Sequence, residues 1–459
     1  MSIIYNALSG ALAAQAALAT TSQNVANAMT PGYTRQGVLL ASVQPLQSGT
    51  LSAGGGVTVP ALLRFSDGYK SLQMWSAASE LGQRTTSQPY FTQLEQVMGD
   101  EESGINSGLD AFFGALNAAS VDPTSSPLRQ QIITAADALA QRFNSLTQVM
   151  SNQRQAIVQQ RHTMISQINT LTGDIAELNR EIAATQGTGV NPSALIDARD
   201  SKIDELAGLV ALQVVDQADG TRSISLRGGQ PLVVGSRAAT MSATNNPDGS
   251  QTLQVAFASE AFILPKSGLG GELGGLEDYE TKTLLPMIQS VSDMAEQLAD
   301  AVNTQLAAGF APDGTPGTPL FEFDSTTATG MLRVRPGVQG SELAFSSTAT
   351  AGGNSQNLLA LIGLRSQPVT LPGLGSVSLA DASTQLVAKL GMDSQQNQAA
   401  MDTAQTVRNQ AEESWKSTSG VNTDEEAINL MQYQQMYQAN MKVIAVANEL
   451  FSSTLAILG

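Results

Sequence analysis

Residues 430–458 read LMQYQQMYQANMKVIAVANELFSSTLAIL; within them Leu430, Tyr437, Ile444, Phe451 and Leu458 are spaced by seven, and Met441 and Leu455 sit four places after two of them. Side chains seven apart share one stripe of an α-helix, so the spacing predicts a long helix whose apolar seam another helix covers. The opposite end repeats the design. Ile4, Ala11, Leu18 and Val25 form a second seven-spaced set, with Leu8 and Met29 in the intermediate positions. Such a helix is marginal alone in water, because ordering its backbone costs more than one seam returns. The two ends are therefore expected to order only against neighbours: each other, further copies of the chain, or a different protein presenting similar helices.

Between the ends, the first helix is expected from about Ser2 to Ala28, stopped by Pro31 and Gly32. Val38-Leu39-Leu40 and Val57-Thr58-Val59 flank a loop with Pro45 and Gly54-Gly55-Gly56, a loose hairpin. Helix resumes at about 66–98 and again at 127–185. In the second stretch Ile157, Met164, Leu171 and Leu178, with Ile168, Ile175 and Ile182, predict a further coiled-coil seam. A short helix near Leu195–Leu206 precedes alternating stretches at Ser223–Leu226, Pro231–Val234 and Thr252–Val255. Asp219-Gly220, Gly228-Gly229 and Asn246-Pro247-Asp248-Gly249 read as the turns between them. Helix returns from about Leu273 to Ala308, loops and short strands such as Met331–Val334 fill 309–375, and another helix covers about 380–416.

The expected fold class is mainly α with a β insert: N- and C-terminal helices in a coiled-coil-like core, a long helical bundle domain and a small inserted β-rich domain. The expected division is 1–38 with 418–459 for the terminal core, 39–207 with 272–417 for a helical rod-like part, and 208–271 for an outer β-rich part.

The chain has 459 residues, 42% of them hydrophobic, enough for real cores. Its 23 basic and 40 acidic residues leave a net charge of −17, which opposes binding to nucleic acid or to an anionic membrane. Without cysteine there is no disulfide framework, thiolate metal site or cysteine nucleophile. Residues 1–34 are uncharged, yet a cleaved signal peptide is not expected: the basic first region is missing and Asn6 and Gln15 interrupt the apolar run. No segment is expected to span a bilayer.

No catalytic, cofactor-binding or metal-binding residues stand out. His162, the single histidine, falls beside the long helical seam. Gly54-Gly55-Gly56 lacks a following Lys-Ser or Lys-Thr, and Gly268–Gly275 misses the dinucleotide spacing at Leu273. The acidic pairs Glu101-Glu102 and Glu277-Asp278 are expected to be solvated or to cap helices.

Local chemistry marks the start of the last helix. Gly420 is expected to turn the chain, Thr423 to cap the helix with Glu426 reaching back, and Asp424 and Glu425 to favour its positive end. Tyr433 and Tyr437 lie one turn apart and suit a wet interface. Near the first helix, Asn24 and Asn27 are expected to satisfy neighbouring backbone groups, and Arg35 to pair with an acidic group on another subunit or to be solvated.

The string Asn24-Val25-Ala26-Asn27-Ala28-Met29-Thr30-Pro31-Gly32-Tyr33 resembles the N-terminal signature of bacterial flagellar rod, hook and hook-associated proteins. Its continuation Thr34-Arg35-Gln36 is most similar to the hook-associated members at the hook–filament junction, and argues against the neighbouring junction protein or a flagellin. Ser419-Gly420-Val421-Asn422-Thr423-Asp424-Glu425-Glu426-Ala427, then Asn429-Leu430 and Tyr433–Ala439, resembles the same family's C-terminus. Leu195-Ile196-Asp197-Ala198-Arg199-Asp200 and Val302-Asn303 with Gly309 are weaker similarities.

The resemblance implies a structural, non-enzymatic adaptor of the extracellular flagellum that assembles on the hook and allows filament attachment. It implies type III export without a cleaved signal and a cytoplasmic chaperone at the C-terminal helix. The implied partners are copies of the chain in a ring or helical array, the hook protein and a second hook-associated junction protein. Ile4, Leu8, Leu18, Asn24, Val25, Asn27, Gly32, Tyr33, Arg35, Gly420, Asn422, Glu426, Leu430, Tyr433, Tyr437, Ile444, Phe451 and Leu458 are the candidate subunit-packing residues. Many relatives carry a further surface domain for which this chain has little room. The alternative function is an extracellular surface-binding or glycan-active module.

Overall fold

The computed structural model describes residues 2–44, 54–100, 104–186, 190–247, 249–327, 330–350, 353–371 and 375–458. Pro45, Glu101, Glu102 and Asp248 lie outside them, as does the side chain of Leu458.

The helices are α1 (Ser2–Ala26), α2 (Gly68–Met98), α3 (Ile105–Ala119), α4 (Ser126–Gln186), α5 (Ser193–Leu209), α6 (Gly271–Tyr279), α7 (Leu285–Ala307), α8 (Gln356–Gly363), α9 (Leu379–Ser419) and α10 (Thr423–Leu458). The fold is mainly α with a β insert. β1 (Gln36–Ser42) and β2 (Val57–Arg64) form the hairpin after α1. The insert holds β3 (Leu212–Asp216), β4 (Arg222–Leu226), β5 (Pro231–Val234) and β6 (Arg237–Ala238) in one antiparallel sheet. A second sheet contains β7 (Thr240–Asn245), β8 (Gln251–Phe257) and β9 (Glu260–Ile263). Two further ribbons pair β10 (Phe321–Phe323) with β11 (Leu332–Val334), and β12 (Val369–Leu371) with β13 (Gly375–Val377).

The long helices run antiparallel in pairs. Lys70 at the start of α2 donates to the Ser414 carbonyl near the end of α9, while Ser87 meets Asn397 further along. At the outer extremity Gly10 of α1 lies against Asn440 of α10, and Asn24 against Glu426. Both contacts fit a single antiparallel register, so residues beyond about 448 extend past the start of α1.

Three features depart from the sequence reading. α3 and α8 were not legible, because each is a short, mostly apolar helix without a long repeating stripe. Of the α4 set, Ile157, Met164, Leu171, Ile168, Ile175 and Ile182 are buried and Leu178 is half-buried, but not in a two-helix coiled coil. Instead α5 and the insert cover much of it, with Asn169 bonded to the Met241 backbone and Asn179 to the Arg222 and Gly235 carbonyls. Seven-residue spacing reveals which face is buried, not what buries it. Finally, Ile3–Ala26 is long and apolar enough to cross a membrane by length and composition, with a mean hydropathy of 1.3, contrary to expectation. Its lack of charge and alanine-rich face explain the score, and here that face packs against α10 and the hairpin.

Backbones in the body approach closely where side chains are missing. A Cβ on Gly275 of α6 would stand 2.2 Å from the Gln83 carbonyl oxygen of α2. Gly275→Ala is therefore expected to lower stability by about 1–3 kcal/mol, since backbone must move to admit the methyl group. A urea unfolding curve at unchanged slope reads this directly.

Candidate assembly site

The two terminal helices meet the body at one polar node. Thr30-Pro31-Gly32-Tyr33 makes a tight turn closed by Tyr33 N–H to the Thr30 carbonyl at 3.2 Å, with Gly32 at φ +76° where a side chain would be strained. The turn brings the chain back beside the end of α1. Asn24, only 1% exposed, then uses its whole amide. Its Nδ2 donates to the Gln36 carbonyl at 2.8 Å and to Glu426 Oε2 at 3.1 Å; its Oδ1 accepts from the Tyr33 hydroxyl at 2.9 Å and from Gln36 N–H at 3.0 Å.

Glu426 is the matching anchor on α10. Arg35 Nε donates to its Oε1 at 2.7 Å, while the same guanidinium reaches Glu425 at 2.7 Å and lies over the Phe65 ring. Arg35 N–H also donates to the Ser419 carbonyl at 2.8 Å. Within the single chain Arg35 is thus held by acidic partners of its own chain instead of being solvated. The cap of α10 differs as well. Asn422 Oδ1 accepts from Asp424 N–H at 3.0 Å, so Asn422 takes the role expected of Thr423, and Glu426 is spent on Arg35 and Asn24 instead. Asn422 reaches the turn two residues ahead with a short acceptor arm.

Asn27 holds the last turn of α1, donating to the Gln23 carbonyl at 3.0 Å. Gly420 ends α9, its N–H bonded to the Lys416 carbonyl at 2.8 Å, and a Cβ there would stand 2.6 Å from that oxygen. Burial raises the Tyr33 hydroxyl above its ordinary pKa, with Asp197 and Glu426 adding to the effect.

A second tier ties this node to the body and was not identified as a site from sequence. Asp197 accepts from Thr34 N–H at 3.2 Å and from Arg64 at 2.7 Å. Asp200, one turn along α5, binds Arg64 at 3.0 Å and Arg222 of the insert. Arg222 continues to Asp216 at 2.6 Å and lies over the Trp75 ring. Burial pushes the neighbouring Arg199 down to about 10, partly opposed by Asp200. The available signal was the spacing of Asp197 and Asp200, which places two carboxylates on one helix face.

The faces that pair α1 with its neighbours in the chain are made of small residues. Ala7, Ala11, Ala13, Ala14 and Ala17 are buried, with Thr21 and Asn24. Five buried methyl groups stabilise by only about 4 kcal/mol. The large apolar side chains point elsewhere. Leu8 and Val25 on α1, Met29 just after it, and Leu430, Tyr437, Met441, Phe451 and Leu455 on α10, are exposed, Phe451 by 64%. Ile4, Leu18, Tyr433 and Ile444 are half-buried. Of the N-terminal seven-spaced set only Ala11 is buried, so that set is not the seam that holds the two helices together.

A buried charge cluster lies outside this region. Arg161 on α4 donates to Glu280 at 2.6 Å, Gln251 at 2.7 Å and Glu277 at 3.1 Å. Glu280 opens a π-helical turn, Glu280–Leu284, between α6 and α7. Glu277 is therefore not the solvated acid expected from sequence. His162, adjacent on α4, is exposed and approaches Gln251.

Helices from both termini, paired and outward-facing, define a chain built for assembly, and the comparisons place it among axial proteins of the bacterial flagellum. Residues 4–34 match the flagella basal body rod protein family, and 417–457 the flagellar basal body rod FlgEFG protein C-terminal family. Residues 91–321 match the flagellar hook-associated protein FlgK helical domain, half of the chain. The chain belongs to the flagellar hook-associated protein 1 family. It is 27% identical to flagellar hook-associated protein 1 of Salmonella typhimurium, covering 99% of this chain and all of that one. With its namesake in Bacillus subtilis it shares 27% identity over 97% and 96% of the two chains. The Salmonella alignment runs over 557 positions against this chain's 459, so that relative carries segments absent here. The fold resembles the flagellar hook junction protein FlgK from Burkholderia pseudomallei, with a TM-score of 0.67 and 19% identity over 75% of this chain and all of that one.

Two outcomes are expected from these contacts. Glu426→Ala removes one of the four hydrogen bonds of the buried Asn24 amide and half of Arg35's pairing, costing about 1–3 kcal/mol and speeding hydrogen exchange in the first turns of α10. Desolvation raises the Glu277 pKa, so its stabilising contribution is full below the ordinary carboxyl pKa and is lost as pH rises through the raised value. Glu277→Gln is expected to flatten that part of the fall in thermal midpoint between about pH 4.3 and neutrality.

Proposed function

We propose that this chain is the adaptor between the flagellar hook and the filament. The observation that carries the reading is the pairing of α1 with α10 through alanines, which leaves their large apolar side chains free for neighbours. Helices of this kind gain stability when further helices cover the outer stripe, so incorporation and final ordering coincide. In this reading the pair adds to the hook protein's array on one side and offers a compatible surface to a second junction protein on the other. Further copies of the chain complete the ring or helical turn. The candidate packing residues are those on the outer stripe, Leu8, Val25, Leu430, Tyr437 and Phe451, flanked by the half-buried Ile4, Leu18, Tyr433 and Ile444. Asn24, Asn27, Gly32, Tyr33, Arg35, Gly420, Asn422 and Glu426 support them by fixing where the pair leaves the body.

The proposed units are the terminal pair, the helical rod-like part and the outward β-rich part, with boundaries at 38/418, 207 and 272. The role is structural and extracellular. The uncharged N-terminal end and the apolar stripe of α10 suit passage through the flagellar export channel, with a cytoplasmic chaperone covering the outer face of α10 beforehand.

Deleting the gene tests the adaptor role by electron microscopy together with an assay for flagellin in the medium. The expected outcome is hooks without filaments and flagellin lost to the medium; normal filaments would overturn it. Restoring the gene with Leu430→Asp and Phe451→Asp is expected to leave hooks bare while the body keeps its thermal transition, since both side chains are exposed in the single chain. Normal junctions in that double variant would refute the stripe.

A further inference from the structure

Residues 1–63 contain one charged side chain, Arg35, and Glu425 and Glu426 hold it. Across α1, the hairpin and α10, Arg35, Arg64 and Lys442 stand against Asp424, Glu425, Glu426 and Glu449, leaving one of the chain's seventeen net negative charges in this unit. The rest of the surface repels other copies, so copies approach most easily through the neutral unit. Within it the β1–β2 ribbon leaves Leu39, Leu40, Leu62 and Leu63 exposed. A two-stranded ribbon whose single charge, Arg64, is already paired and whose leucines are bare gains stability when something covers it.

A complementary surface lies at the foot of the terminal pair. A groove of about 490 Å³ opens between the Ala28–Tyr33 turn, α2, α5 and α9. Both tryptophans of the chain, Trp75 and Trp415, line it, with Met29 and Met74. Its charges are already paired, Arg408 with Asp204, Lys416 with Glu412, and Asp200 with Arg64 and Arg222. The groove is therefore apolar and close to neutral, as the ribbon is. Aromatic and methionine side chains are typical of interface centres. Behind the groove's wall the Trp75 indole N–H is buried without an acceptor, and the Thr34 and Ser419 hydroxyls are likewise buried without a partner.

We propose that the β1–β2 ribbon of one copy docks in this groove of the next, setting its leucines against Trp415 and Met29. The two surfaces differ, so the contact is head-to-tail and propagates along a ring or helix rather than closing a dimer. This proposal rests on the reading that the chain assembles with copies of itself.

The absence of cysteine makes the test direct. Full-length Ser201→Cys is produced together with Leu40→Cys, or with Leu63→Cys on the opposite face of the ribbon, in cells lacking the native gene. Hook-bearing particles are isolated and oxidised by air with copper–phenanthroline. A mixed disulfide-linked dimer is expected for one of the two pairings, lost when Trp415→Ala is added to the Ser201→Cys chain. Particles that contain both chains but give no mixed dimer from either pairing overturn the docking and leave the adaptor reading intact. Absence of the unmodified chain from hook-bearing particles overturns both.

Discussion

Everything at the ends of this chain depends on the Glu426 carboxylate. It is buried at the first turn of α10, and a buried carboxylate is tolerated only with a cation and donors in place. Arg35 supplies the cation and Asn24 the further donor. Because Asn24 lies on α1 and Arg35 beyond the Pro31-Gly32 turn, satisfying one carboxylate fixes the end of the first helix, the course of the hairpin and the start of the last helix. The three segments come from opposite ends of the sequence, so the charge acts as a clasp on the chain.

The clasp is continued by charge rather than by core. Arg64, Asp197, Asp200 and Arg222 carry the connection from the hairpin through α5 to the β insert. Such a network fixes direction better than an apolar contact, since each carboxylate accepts at defined angles. It orients the helical pair relative to the insert. The pair itself is held by alanines, a weak interface that sets the two helices close and leaves their larger side chains for other molecules.

The seven-residue repeats at both ends, the hairpin between them, the long central helix and several insert strands were legible, because periodicity and turn residues are local signals. The motifs resembling flagellar axial proteins were legible for the same reason. The Arg35–Glu426 pair was not, since 391 residues separate its members and nothing in either local stretch names the other. Nor was the burial of Glu277, which follows from Arg161 standing on a helix 116 residues earlier. The α10 cap went to Asn422 over Thr423 because both residues can cap, and only the backbone course decides which side chain points at the free N–H groups.

The sequence by itself determined that both termini are helical and apolar on one stripe, that the chain has no cysteine chemistry, and that its charge lies almost wholly in the body. Those properties are set by residue type and spacing, which survive any arrangement of the chain. The tertiary structure alone decided which face of each terminal helix turns inward. On α1 small residues won that contest: they let the α10 backbone approach around the Asn24–Glu426 clasp, and most of the large side chains of both helices were left outside, where a single chain cannot cover them.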